Sequence, residues 1–221
     1  MASLKTDFGT GREPTDDVWE AIYTQRAIRY WEEKPVPREL LEQVVEAASK
    51  APSGSNTQPW IFVVIDDRTK LDEIAALMRG FFEAAEPIQN LISAGEKSEN
   101  KSERLMLKGA KQFFTKLERA PAIIIPCLYQ VASPTPDPAS LLAGSSIYMA
   151  VQNLMLSARA LGLGTLMTTA HAMIEPNLRE MLSLPDDAHP VALIPIGFAG
   201  ANFGPTNRKD VDEVLRWNGW S

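Results

Sequence analysis

Cysteine and histidine are almost missing from this chain: Cys127 is the single cysteine, and His171 and His189 are the only histidines in 221 residues. A disulfide framework or a thiolate metal centre within one chain is thereby excluded, and a histidine metal site is not expected. Positive charge is also in deficit. Lys and Arg number 22 against 28 Asp and Glu, a net charge of −6. That balance argues against a nucleic-acid partner, which needs a basic face. The first fifteen residues hold Lys5, Asp7, Arg12 and Glu13 and no apolar core, so no secretion signal is expected there. The uncharged stretch 138–158 includes Ser140, Gly144, Gln152 and Asn153, too polar for a membrane partner. The sequence reads as soluble and cytoplasmic.

Apolar residues make up 45% of the chain, with five Trp, eight Phe and four Tyr, enough for a real core. The length is below the roughly 250–300 residues at which one core stops growing. A single domain over 1–221 is expected. Residues 18–25 read as a helix capped by Thr15-Asp16-Asp17, and a second helix starts near Pro37, with Leu40, Leu41, Val44, Val45 and Ala48 on one face. Buried strands are expected at 61–65, 122–126 and 191–197. Residues 71–78 and 176–182 read as helices, and 131–138 as a loop. Weak apolar periodicity at 87–119 suggests an exposed helical insertion or lid, at about 80–119. The charge-free helix through Ile147, Val151, Leu154 and Ala158 is expected to be buried on most sides, with Gly162 and Gly164 ending it. Interleaved strands and helices point to an α/β or α+β sandwich.

Four stretches offer chemistry. Ala51-Pro52-Ser53-Gly54-Ser55-Asn56-Thr57-Gln58-Pro59-Trp60 is a polar loop pinned by prolines and leading into a buried strand. It reads either as a ligand loop or as a tight turn built from turn formers. Arg26 and Arg29 flank Ala27-Ile28 and suit an anion, because a guanidinium presents a planar fork of donors. Two such arginines are usually a solvated surface pair. Asn207-Arg208-Lys209 is a second basic knot. Gly162-Leu163-Gly164-Thr165 lets backbone approach a flat ligand, but lacks the strand-to-helix context of a dinucleotide fingerprint. His171 sits in an apolar stretch and reads as structural. Phe81, Phe82, Phe113 and Phe114 either cover a ligand or pack against the sheet.

In this order, from about residue 18 to residue 220, these pieces resemble the nitroreductase family of flavoproteins. The resemblance implies an α+β fold, a three-layer sandwich with a central, mostly antiparallel sheet flanked by helices, working as an intertwined homodimer. It implies FMN at sites shared between two chains, and NAD(P)H as electron donor. Arg26, Ala27, Arg29 and Arg208, with Lys209, would hold the phosphate and ribityl chain. Pro52, Ser53, Gly54, Asn56 and Gln58 would reach the flavin from the partner, while Met167, Thr169 and Ala170 line the ring near N5. The family often reads Arg-Arg-Ser-x-Arg where this chain has Gln25-Arg26-Ala27-Ile28-Arg29, so one arginine and one hydroxyl are absent.

The implied reaction is ping-pong transfer of electrons from NAD(P)H through flavin N5 to a small aromatic acceptor, nitroaromatic or quinone-like. Residues 53–60 also resemble the iodotyrosine-deiodinase branch, although that branch's Glu…Tyr…Lys set is not recognised in 80–116. Reductive dehalogenation and non-catalytic flavin binding or redox sensing are the alternatives.

Overall fold

The computed structural model describes Phe8 and residues 10–220. Most of the N-terminal segment read above for a secretion signal lies outside the described residues. Helix α1 (Val18–Thr24) is capped by Asp17, whose carboxylate accepts from the backbone of Trp19 and Glu20. Helix α2 (Arg38–Ser49) follows Pro37 and buries Leu41, Val44 and Ala48, the face expected from their spacing.

Strands β1 (Trp60–Ile65) and β2 (Ala122–Tyr129) pair antiparallel over their whole shared length. Their aliphatic, largely β-branched sequences suit a sheet covered on both faces. Strand β3 (Leu163–Thr165), β4 (Ala188–Pro190) and β5 (Ile194–Phe198) complete it, in the order β1-β2-β5-β3 with β4 beside β2. Every ladder is antiparallel. The single strand expected at 191–197 is split. Pro190 and Pro195 donate no backbone hydrogen bond; Val191 N–H still donates to the Pro126 carbonyl of β2, while Leu193 bridges Thr168.

Alternate residues of β2 feed two cores. Ala122, Ile124 and Leu128 face α2 and α6 (Leu141–Ala160). Ile123, Ile125 and Cys127 face the other side, with Leu71, Ile74 and Met78 of α3 (Arg68–Ala84) and Leu178 of α7 (Glu175–Leu182). That alternation is the period-2 consequence of the pleat, and it makes the three layers of an α+β sandwich. Beyond α3 lie α4 (Glu86–Gly95) and α5 (Lys101–Lys116). Phe82, Ile92 and Leu107 form a small core between these helices, while Phe113 joins the main core. Phe114 stacks on Phe82, with ring centroids 5.2 Å apart, and also meets Phe81 and Phe113, so all four phenylalanines pack on one another. The last helix, α8 (Val211–Val214), is a single turn.

Helix α6 departs from its expected burial. Among the described residues it is the one helix long and apolar enough to cross a membrane, yet it is a core helix here, burying Ile147, Ala150, Val151, Leu154 and Ala158. Helices α1 and α2, the 52–58 loop and the sheet cover it in part. Leu142, Tyr148 and Met149 remain 58%, 43% and 41% exposed. The absence of charge therefore marked two apolar faces, of which one chain covers only the first.

Candidate functional site

The segment after α1 is tied to the edge of the sheet. Ile28 N–H donates to the Thr165 carbonyl, and Ala27 bridges Thr165 in parallel. Ile28 is buried against Gly164, where an added Cβ would lie 2.6 Å from Ile28 Cγ2. Gly164 is thus a strand residue chosen for close packing. It does not end α6, as the sequence suggested. Gly162 does, with φ at +73°, the left-handed conformation that glycine reaches without a steric penalty.

This anchoring presents Arg26, Ala27 and Arg29 beside the segment that continues from β3. Met167 is half-buried, Thr169 is exposed, and Ala170 N–H donates to the Thr168 hydroxyl. Thr206 donates to the Tyr23 carbonyl, so Arg208 and Lys209 leave the same end of α1 from which Arg26 emerges. None of the ion pairs among the described residues uses Arg26, Arg29, Arg208 or Lys209. Arg29 is the sharpest case: its Nε is buried with no hydrogen-bond partner. Burial, and then the neighbouring Arg26 charge, lower its pKa from the ordinary arginine value. A buried donor left unfilled is costly unless an acceptor arrives.

Residues 52–58 gather elsewhere on the chain. Gly54 N–H donates to Ser146 Oγ on α6, and Ser53 Oγ accepts from Gln58 N–H. Three non-glycine residues of this loop, Ser55, Asn56 and Gln58, have φ of 50°, 54° and 49°. Such strain, on the order of 1–3 kcal/mol each, clusters at functional sites. Pro52, Asn56 and Gln58 are exposed and Gly54 is half-buried. On α6 the arginine group docks at Met155, which accepts from Gln25, and at Arg159, which donates to Thr24. Ser146 and Met155 are nine residues apart, two and a half helical turns, and hence on opposite faces about 13 Å apart along the axis. Within one chain the loop and the arginines do not converge.

His171 is buried and its Nε2 pairs with the Pro190 carbonyl at 3.1 Å, a structural role. No cluster of three or more His, Cys, Asp or Glu suited to a metal occurs among the described residues. Sequence reasoning passed over Gly109 of α5, which lies directly against the Arg29 side chain. A glycine in mid-helix was the available signal.

A family model described as the nitroreductase family matches residues 22–198. A Methanothermobacter thermautotrophicus protein named for NADH dehydrogenase/NAD(P)H nitroreductase activity is 27% identical, over 92% of this chain and 88% of its own length. Iodotyrosine deiodinase 1 of Rattus norvegicus is also 27% identical, over 92% of this chain and 70% of its own. The solved structure of the FMN and NADPH-dependent nitroreductase NfnB from sphigopyxis sp. strain HMH superposes with a TM-score of 0.68 at 25% identity, covering 92% of this chain and all of that one. With a match spanning most of its length, this chain belongs to the nitroreductase family.

Proposed function

We propose that this chain is an FMN-dependent oxidoreductase that uses NAD(P)H to reduce nitroaromatic or quinone-like acceptors. The observation that carries the reading is the buried, unpartnered Nε of Arg29 in a cluster of unneutralised cations. An acidic chain that leaves these cations unpaired suits a ligand bearing about two negative charges, such as a phosphomonoester. The residues present therefore fit FMN. Arg26, Arg29 and Arg208 would oppose its phosphate and ribityl oxygens, with Lys209 outside them. Ala27 would offer backbone only, and Met167, Thr169 and Ala170 would flank the ring.

FMN, when bound, supplies electron transfer from NAD(P)H to the acceptor, donor and acceptor using one face in turn, hence ping-pong kinetics. The chain's own part is to position and to exclude water. A hydroxyl or backbone N–H at Thr169 would tune N5 through a hydrogen bond. The strained loop at Pro52, Ser53, Gly54, Asn56 and Gln58 would come from a second copy, because one chain holds it away from the arginines. The open face of α6 supports that homodimer. Residues 80–119 would act as the substrate-side insertion of a single domain. There Leu91, Leu105 and Met106 are 62%, 59% and 53% exposed, a surface suited to an uncharged aromatic.

The purified protein is expected to show flavin absorption, to bleach anaerobically with NADPH or NADH, and to recover colour with a nitroaromatic. Protein that cannot be loaded with FMN would overturn the reading. The rat deiodinase relative favours reductive dehalogenation as the second reading. Iodide release from an iodophenol, with no turnover of nitroaromatics, would select it.

A further inference from the structure

We propose that Gly109 is a positioning residue for Arg29: its missing side chain lets α5 lie directly on the guanidinium and hold it for the cofactor. The inference rests on the FMN reading above and adds to it a second element, α5, that shapes the anion site.

Gly109 stands ninth in the sixteen residues of α5, and it is buried. Glycine is the poorest helix former after proline, so a reason for it is needed. Backbone conformation gives none, because its φ is an ordinary helical one; Gly162 is the one glycine with a positive φ among the described residues. Space gives one. A Cβ on Gly109 would meet Arg29 Cδ at 2.9 Å, one terminal guanidinium nitrogen at 3.2 Å and Nε at 3.3 Å. Such distances are below normal contact, so Arg29 would have to move.

The contact also accounts for the burial of Arg29 Nε. The helix backbone covers the guanidinium without offering it an acceptor, since the carbonyls of mid-helix residues are already bonded along the helix. Nε itself is covered, so the uncovered terminal donors of the guanidinium would meet the ligand, and the contact with α5 holds the side chain in place before the ligand arrives. Preorganisation of this kind lowers the ordering cost of binding. Gly80 of α3 provides the contrast. It too is a mid-helix glycine, but nothing lies within 4 Å of its hypothetical Cβ.

The test is titration of the FMN-free full-length protein with FMN, followed by flavin fluorescence, alongside thermal melting without ligand. Gly109→Ala is expected to raise the FMN Kd about tenfold, the loss of one charge-assisted hydrogen bond. Its Tm should stay level or rise by about 2–4 °C, since alanine favours the helix. Gly80→Ala should raise Tm and leave Kd unchanged. In an Arg29→Ala background, Gly109→Ala should produce no further change in Kd, a non-additivity that a general structural role would not give.

Tight FMN binding by wild type together with an unchanged Kd for Gly109→Ala overturns this inference alone. A Gly109→Ala penalty that persists without Arg29 overturns it as well. If Gly109→Ala melts too low to titrate, Arg29→Ala must restore its Tm, and failure to do so is a third contrary result. Absence of FMN binding by wild type overturns the functional reading beneath it.

Discussion

Two buried side chains set what single residues contribute. Arg159 is 1% exposed and is fully engaged: Nε donates to Thr24 Oγ1 at 2.8 Å, one terminal nitrogen to the Glu13 carbonyl at 2.9 Å, and the other to Glu20 Oε1 at 2.9 Å. Its guanidinium lies over the Phe203 ring, 4.3 Å from the centroid. Burial lowers its pKa, and the Glu20 carboxylate opposes that shift. Removing one partner of such a pair strands the rest, at about 3 kcal/mol. Arg159→Ala should therefore lower Tm on the order of 10 °C, whereas Glu20→Gln, at a site water reaches, should lower it less; differential scanning calorimetry separates the two. Cys127 acts by contrast through its silence. Burial in β2 pushes its thiol pKa up to about 11. Native protein at pH 8 should leave a thiol reagent unreacted, and denatured protein should consume one equivalent. The raised pKa also sets a direction with pH: the stabilising contribution is complete below the unfolded value near 8.5 and is lost as pH rises towards 11. Denaturant midpoints measured across that window should fall with increasing pH.

At the scale of elements, the Arg26–Arg29 segment is held by what β3 lacks. Gly164 leaves the volume that Ile28 fills, and Trp31 Nε1 donates to the Gly164 carbonyl at 2.9 Å. A methyl group there meets Ile28 Cγ2 and Cβ at 2.6 and 2.7 Å. Gly164→Ala should consequently lower Tm and weaken FMN retention together, unlike Gly109→Ala, which should weaken retention alone. Cofactor release on heating, compared with the melt of the FMN-free protein, distinguishes them. The same element shows how far the sequence could be read. Apolar runs at 61–65 and 122–126 and the face of α2 declared themselves, because burial on one or both sides imposes a period. Gly162 and Gly164 looked alike in sequence and have different causes, one a backbone angle and the other a neighbour's side chain. The second cause is a tertiary contact with residue 28, and no local pattern encodes it. The arginine pair was legible as two cations. That Arg29 Nε is buried and unfilled was not, since it depends on α5 crossing above it.

At the scale of the whole molecule, a single chain leaves two sets of groups unfinished. Arg29 beneath α5 and its neighbour Arg26 have no carboxylate partner, and the strained loop at 52–58 lies on the opposite face of α6. Val214, Trp217 and Trp220 near the C-terminus are 68%, 77% and 92% exposed, and so is the Tyr148–Met149 face of α6. Exposed apolar side chains of this kind suit the homodimer proposed above. A closed two-fold dimer would cover them and supply each arginine group with the other chain's loop. A dimer with shared sites would behave as no arrangement within one chain can. Arg29→Ala removes the anion side of a site, and Asn56→Ala removes a loop side chain. Each variant alone should retain little FMN. If each site draws one part from each chain, a mixed dimer holds one site with both parts intact and one with neither. Co-refolding the two variants in equal amounts should then restore about a quarter of the wild-type FMN sites, since about half the dimers are mixed and each regains one of two. Measured as bound flavin after gel filtration, no recovery would place both parts of the site in one chain and set aside the shared-site dimer.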